Sequence, residues 1–450
     1  MTYDLAKHTL PSFLDRVPYF LAGRDSPRDL LERCLATIDA REAIVRAFVV
    51  LDREGARRAA DAATARYRDG RTLSPVDGLP LGLKDIIETS DMPTGCGSPI
   101  YAGYRSRHDS ALTAALRRGG AVIVGKTATT EFAYGATTTT TNPFDAARTP
   151  GTSSSGSAAA VGAGMLPVAI GTQLMSSVMR PASYCGHVGV KPTFGVIRQD
   201  GIHPFSPSGE HVGVHAATLA DAWNISRFLS HEAGPVPGCR GLDGPADMPP
   251  SRRPARLMRM YTPGWALADN VERTAFERAL ARLADAGVEI IEPASDPALD
   301  SLERDFAEAD RCIAEIAAFE MRWPFFEYAA AGHGFHPRIG RLLDRARTIT
   351  LADYHAALDF KASFRDHFRI ASERVDAIIG LTAPEVAPLG LENIGHPVTC
   401  SPATCAGAPS LTLSVMAAHG LPLGLQLVGF HAADAALFAH AAWVGAVLGE

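Results

Sequence analysis

The sequence predicts an α/β fold, a largely parallel or mixed sheet covered on both faces by helices, and three observations carry that prediction. Short apolar runs bracketed by Gly and Pro, namely GLPLGLKDII (Gly78–Ile87), AVIVG (Ala121–Gly125) and LPVAIGT (Leu166–Thr172), read as buried strands. Between them lie a segment of helical spacing, DSALTAALRRGG (Asp109–Gly120), and one of unusually small side chains, Gly151–Gly164. Strands that alternate with helices in this way stack helices on the faces of a sheet.

Taken in order, the apolar residues from Pro27 to about Tyr67 recur at three and four, as in Leu30, Leu31, Cys34, Leu35 and Ile38. This predicts two amphipathic helices before any strand, an N-terminal helical layer over residues 1–70. The strand at Gly78–Ile87 ends in one lysine, Lys84, and the Gly119–Gly120 pair stops the helix that follows. Ala136–Pro150 holds five consecutive threonines and leads into GTSSSGSAAAVGAG, a helix packed tightly on the sheet. After Leu166–Thr172 comes a turn carrying Ser176 and Ser177. Gly234–Pro254, rich in Pro and Gly, reads as surface loop, Asn270–Ala286 and Leu302–Ala331 as helix. GLPLGLQLVGF near the end is a further strand, and an alanine-rich helix closes the chain. A length of 450 residues admits one domain or two.

Composition narrows the function. The formal charge is −6, and basic residues group only briefly, as at Arg252-Arg253, so the chain shows no electrostatic footprint for nucleic acid. Small neutral or apolar substrates fit better. Seven scattered cysteines without a CxxC spacing argue against a disulfide framework and a zinc cluster, and reduced thiols in a cytoplasm are the simplest reading. The start lacks the basic and apolar regions of a signal peptide, and no apolar run reaches membrane-spanning length. The expectation is a cytoplasmic protein that is not membrane-bound.

Three features that can carry chemistry stand together: a lysine ending an apolar strand, a serine cluster opening a helix, and a second serine in a turn. A lysine in apolar surroundings has its ammonium form disfavoured and becomes a usable base, although on composition alone snorkelling or pairing with a carboxylate is the favoured account of Lys84. For Ser153–Ser157 the alternative is helix capping. GTSSSGS lacks the lysine of a phosphate-binding loop, and neither serine region contains GxSxG. HVGVH (His211–His215) has the spacing of a metal pair on one helix face but residues poor in helix propensity, so no metal site is assigned.

GLPLGLKD, PGTSSSGSAAAVGAGMLPVAIGTQ and SSVMRPASYCGHVGVKPTFG, read in order, resemble successive blocks of the amidase signature family. The resemblance covers most of the chain, from a signature core at 78–205 to GAPSLTLSVMAAHGLPLGLQLVGF, apart from a variable, substrate-side stretch at 234–390. It implies an α/β/α sandwich around a large mixed twisted sheet, a single domain over residues 1–450, and a Ser-Ser-Lys triad. Position by position the triad is Lys84, Ser153 and Ser177, the two serines 24 residues apart. In the family pattern Ser177 is the nucleophile, and Ser153, in a cis peptide arrangement, passes protons between it and a neutral lysine. Backbone N–H groups of Leu174, Met175, Ser176 and Ser177 would hold the oxyanion. No metal or cofactor is called for.

The chain departs from the family where two glycines usually precede the nucleophile. Met175 and Ser176 stand there, which questions the backbone of the oxyanion hole, because glycine permits positive φ and close approach. Gln173 and Arg180 resemble a bacterial amidase branch reading GTQ…SVxRPA more than the tRNA amidotransferase branch reading GTD…SIRxPA. The threonine loop is shorter than the family suggests, and a shorter rim opens the site to bulky amides. The functional expectation is therefore an amidase of linear, aryl or hydrophobic amides, or of carbamates as in urethanases, acting as a monomer or homodimer without nucleic-acid or membrane partners. Tyr134, Leu174 and Met175 are the expected substrate contacts. The alternatives are a glutaminase-type subunit of a tRNA-dependent amidotransferase, or a non-catalytic binding homologue.

Overall fold

The computed structural model describes residues 3–135 and 138–449. Ala136 and Thr137, at the start of the threonine-rich segment, lie outside the described residues, as do Met1, Thr2 and Glu450. Among the described residues eleven strands form one sheet: β1 (Phe48–Leu51), β2 (Pro80–Lys84), β3 (Val122–Thr127), β4 (Val168–Gln173), β5 (Val188–Lys191), β6 (His211–Ala216), β7 (Arg256–Arg259), β8 (Glu289–Ile291), β9 (Ala377–Leu381), β10 (Ser410–Ala418) and β11 (Leu421–Val428). Their order across the sheet is β1-β3-β2-β4-β6-β5-β10-β11-β9-β7-β8. β3, β2 and β4 run parallel, as do β9, β7 and β8, whereas every pairing from β4 through β6, β5, β10 and β11 to β9 is antiparallel. The sheet is thus mixed, with helices around it, as expected.

The three strands expected around the signature are present, and β2 ends on Lys84 itself. The helix after it spans Ala111–Arg118, with the Ser110 side chain accepting the Thr113 N–H and Gly119 closing the end. Two expectations need correction. The N-terminal layer is not purely helical, because β1 separates the helix Pro27–Val45 from the helix Arg53–Arg68 and pairs antiparallel with β3. Phe48-Val49-Val50-Leu51 is too short and, at a sheet edge, too exposed to show a period. The stretch Leu302–Ala331 is also not one helix: it divides into Pro297–Asp305, a 3₁₀ turn, Ala309–Glu320 and Arg322–Ala330. Pro324 disfavours helical dihedrals in the residue before it, and Trp323 lies in the β region at φ −105°, ψ 129°.

The helix Ser155–Gly162 is buried on every side, between the sheet and the helix Met179–Cys185. Its small residues are a packing requirement. A Cβ on Gly156 would lie 2.2 Å from the Ala128 nitrogen and 2.3 Å from the Ala47 oxygen, and one on Gly162 would lie 2.1 Å from the Cys185 oxygen. Close approach of this helix to β2 and β4 brings the serines before it to the ends of both strands.

Candidate active site

Lys84 is fully buried at the end of β2. Its Nζ donates to Ser153 Oγ at 2.7 Å and to Thr172 Oγ1 at 2.8 Å, and lies 3.5 Å from the Thr172 carbonyl oxygen. Asp85, next in the chain, pairs instead with the buried Lys126 at 3.2 Å. No carboxylate of the described residues forms an ion pair with Lys84, and burial lowers its pKa to about 7, the charge of nearby Glu210 opposing that shift. Burial in turn raises the Glu210 carboxyl, with Lys84 and a hydrogen bond from Thr172 pulling the other way. The alternative of a snorkelling or carboxylate-paired lysine therefore does not describe Lys84.

The serine cluster does not cap the helix that follows it. Ser154 occupies the cap position without a capping bond. Ser153 Oγ meets Lys84, Ser154 Oγ donates to the Thr172 carbonyl at 3.2 Å, and Ser157 Oγ donates to the Ile170 carbonyl at 3.0 Å. These hydroxyls bolt the loop onto β4. Gly151, at φ +98°, lies so close to Pro181 that a Cβ would fall 2.8 Å from that ring, while Thr152 Oγ1 accepts the Ser153 N–H at 2.6 Å. The expected cis bond at Ser153 is not found: among the described residues the cis peptide is Trp323-Pro324, and Ser153 keeps the trans form that is favoured by about 3 kcal/mol outside proline.

Ser177 sits in the turn after β4, 8% exposed, on a cleft of about 270 Å³. Thr152, Tyr134, Leu174, Met175 and Ser176 line the same cleft, together with Arg180 and Arg338. The non-glycine turn needs no left-handed backbone, since Met175, Ser176 and Ser177 all keep negative φ. Its shape is fixed from behind. Gln173 Oε1 accepts the Val178 and Met179 N–H groups at 2.9 and 3.0 Å, and Thr404 Oγ1 ties Gln173 Nε2 to the Met175 carbonyl at 3.1 and 3.3 Å. Among the described residues no acceptor within the chain is found for the N–H groups of Leu174, Met175, Ser176 and Ser177, the four expected from the sequence as oxyanion donors. Leu174 adds its side chain to the cleft wall.

Tyr134 stacks on Phe205 with centroids 4.7 Å apart, and the Arg338 guanidinium lies over the Tyr134 ring, 5.0 Å from its centroid. It is placed by two consecutive residues of positive φ, Phe132 at 46° and Ala133 at 58°, a strained approach of the kind that gathers at functional sites. Ser177 and the expected contacts Tyr134, Leu174 and Met175 thus line one cleft, and Thr152, which lines it too, precedes the Ser153 that meets Lys84. Sequence reasoning missed Thr172, Thr152, Glu210 and Arg338 as members. Thr172 ends the LPVAIGT strand beside the lysine strand, a signal within reach; Arg338 comes from the variable stretch and carries none.

His211 and His215 lie on β6, not on a helix, and their ring nitrogens meet the Gly209 carbonyl at 2.8 Å and His187 at 2.9 Å. Asp269, Glu272 and His419 approach one another elsewhere, but Asp269 and Glu272 form the capping box of the helix Asn270–Asp285.

The chain belongs to the Amidase family, whose profile matches residues 29–438, and it is accordingly a hydrolase of C–N bonds. A glutamyl-tRNA(Gln) amidotransferase subunit from Chloroflexus aurantiacus is 33% identical over 446 residues, spanning 91% of this chain and 90% of that protein. An amidase crystal structure superposes with a TM-score of 0.84 at 26% identity, covering 97% of this chain and 99% of that one. Peptide amidase from Stenotrophomonas maltophilia gives 0.75 at 26%, covering 98% and 96%. Among the described residues no helix is long and apolar enough to cross a membrane.

Proposed function

We propose that the chain hydrolyses small linear amides, and carbamates as a second class, through an acyl-enzyme on Ser177. Neutral Lys84 takes the proton of Ser153, which takes that of Ser177 as its oxygen attacks the carbonyl carbon. The tetrahedral oxyanion accepts hydrogen bonds from the free amides of the Met175–Ser177 turn, donors usually worth about 2.7–4 kcal/mol each. Ser153 returns the proton to the departing nitrogen, the C–N bond breaks, and water releases the acyl group through the same relay. An aryl or hydrophobic part of the substrate rests on Tyr134, Leu174 and Met175.

The observation that carries this reading is the 2.7 Å contact between a buried, unpaired lysine and Ser153. The test is a panel of p-nitroanilides, primary amides and carbamates. Ser177→Ala and Lys84→Ala should each lower turnover at least about a thousandfold; a variant with near-normal rates removes that residue from the mechanism.

The amidotransferase relatives favour a second reading, a glutaminase-type subunit that supplies ammonia. Ammonia release from glutamine well above that from the amide panel would favour it.

A further inference from the structure

Cys312 on the helix Ala309–Glu320 and Cys405 on the helix Ser401–Ala406 come together where these helices pack, and their thiols hydrogen-bond each other. Both are free and buried, 3% and 1% exposed. Burial alone raises a thiol, as it does for Cys34 and Cys400, each pushed up to about 12. Cys312 goes the other way. The hydrogen bond from Cys405 holds it below the ordinary value against burial, the charges of Lys361 and Arg311 assist, and Cys405 is raised in return. Cys405 and Lys361 line a cavity together with Leu174, Ile313 and Thr404. Leu174 also lines the cleft of Ser177, so the thiol pair lies one side chain away from the space a substrate enters.

The helix that carries Cys405 also sets the nucleophile turn, because Thr404 Oγ1 accepts from Gln173 Nε2 at 3.1 Å and donates to the Met175 carbonyl at 3.3 Å. We propose that Cys312 and Cys405 are a reversible oxidation site, closed to a disulfide by hydrogen peroxide, through which oxidation lowers turnover at Ser177. The Cys312 thiolate attacks one peroxide oxygen, the O–O bond breaks, and a sulfenic acid forms with release of hydroxide. The Cys405 sulfur then attacks the Cys312 sulfur, the S–O bond breaks, the thiol proton leaves with that oxygen as water, and the S–S bond forms. Two electrons pass from the thiols to peroxide, which ends as two waters once the hydroxide takes up the proton that Cys312 gave up. The sulfurs close from hydrogen-bond contact to about 2.05 Å, so the two helices shift and Thr404 moves relative to the Met175 carbonyl. The effect on turnover rests on the amidase reading; the formation of the bond does not.

The test treats the reduced protein with hydrogen peroxide, alkylates the remaining thiols and maps its peptides without reductant. A cross-linked peptide joining Cys312 to Cys405, two hydrogens lighter than its parts and absent in Cys312→Ser, is expected. With it kcat on p-nitroanilides should fall about tenfold, the worth of one hydrogen bond at the turn. Dithiothreitol should restore both the thiols and the rate, and Cys312→Ser should keep its rate under peroxide. Absence of that peptide, or oxidation of either thiol only to sulfinic or sulfonic acid, overturns the site. A cross-link with unchanged kcat overturns the control of turnover. So does a loss that Cys312→Ser shares or that dithiothreitol does not reverse, as oxidation of Met175 would give. If the reduced protein cleaves none of the p-nitroanilides, the hydrolytic reading fails on these compounds, and the peptide map still decides the oxidation site.

Discussion

At Lys84 two effects compete, and their balance sets the pH at which the relay works. Burial drives the ammonium toward neutrality, while Glu210 favours the charged form; burial is the larger and leaves the pKa at about 7. Because the base acts when neutral, kcat/KM should rise with pH through about 7 and level off above it. Glu210→Gln removes the charge that sustains the ammonium, so the acid limb should move to lower pH. A limb that stays in place, or moves upward, would mean that the titrating group is not Lys84. The three triad residues were legible in the sequence through the ordered family blocks, whereas composition alone left each with a structural explanation. Glu210 was not, because its role arises only where β6 and β4 pair beside Lys84, Gln173 lying opposite His211.

The helix Ser155–Gly162 shows how an element positions chemistry it does not itself contain. Alanine is the better helix former by about 1 kcal/mol, so propensity alone predicts that Gly156→Ala stabilises the protein. Packing predicts the reverse, since the new methyl would sit 2.2 Å from the Ala128 nitrogen and backbone cannot yield as a flexible side chain does. Overpacking of this kind costs about 1–3 kcal/mol, so the urea midpoint should fall, and turnover with it as the serine loop is pushed from β2 and β4. A raised midpoint would contradict this account of the small residues. The signature strands and helices were readable because long periodic or uniformly apolar runs mark buried elements. β1 escaped because four half-exposed edge residues carry no period, and the break at Trp323 escaped because apolar spacing runs on both sides of Pro324.

Across the whole molecule, the site is assembled from segments that only the completed sheet brings together: the end of β2, the loop before Ser155 and the turn after β4. Alternation of elements announced a sheet with helices on both faces. It did not announce the antiparallel middle, which depends on β5 pairing with β10, more than two hundred residues later in the chain. The pairing order is a tertiary property with no local signal. Nucleophile activation is then also a property of the folded whole, because Lys84 loses its charge only inside it. Labelling with a fluorophosphonate, mapped by peptide mass spectrometry, tests this most directly. The account predicts modification of Ser177 in the native protein, lost on denaturation and strongly reduced in Lys84→Ala and Ser153→Ala. A native protein labelled at another serine, or labelled at Ser177 as fast without Lys84 as with it, would contradict it.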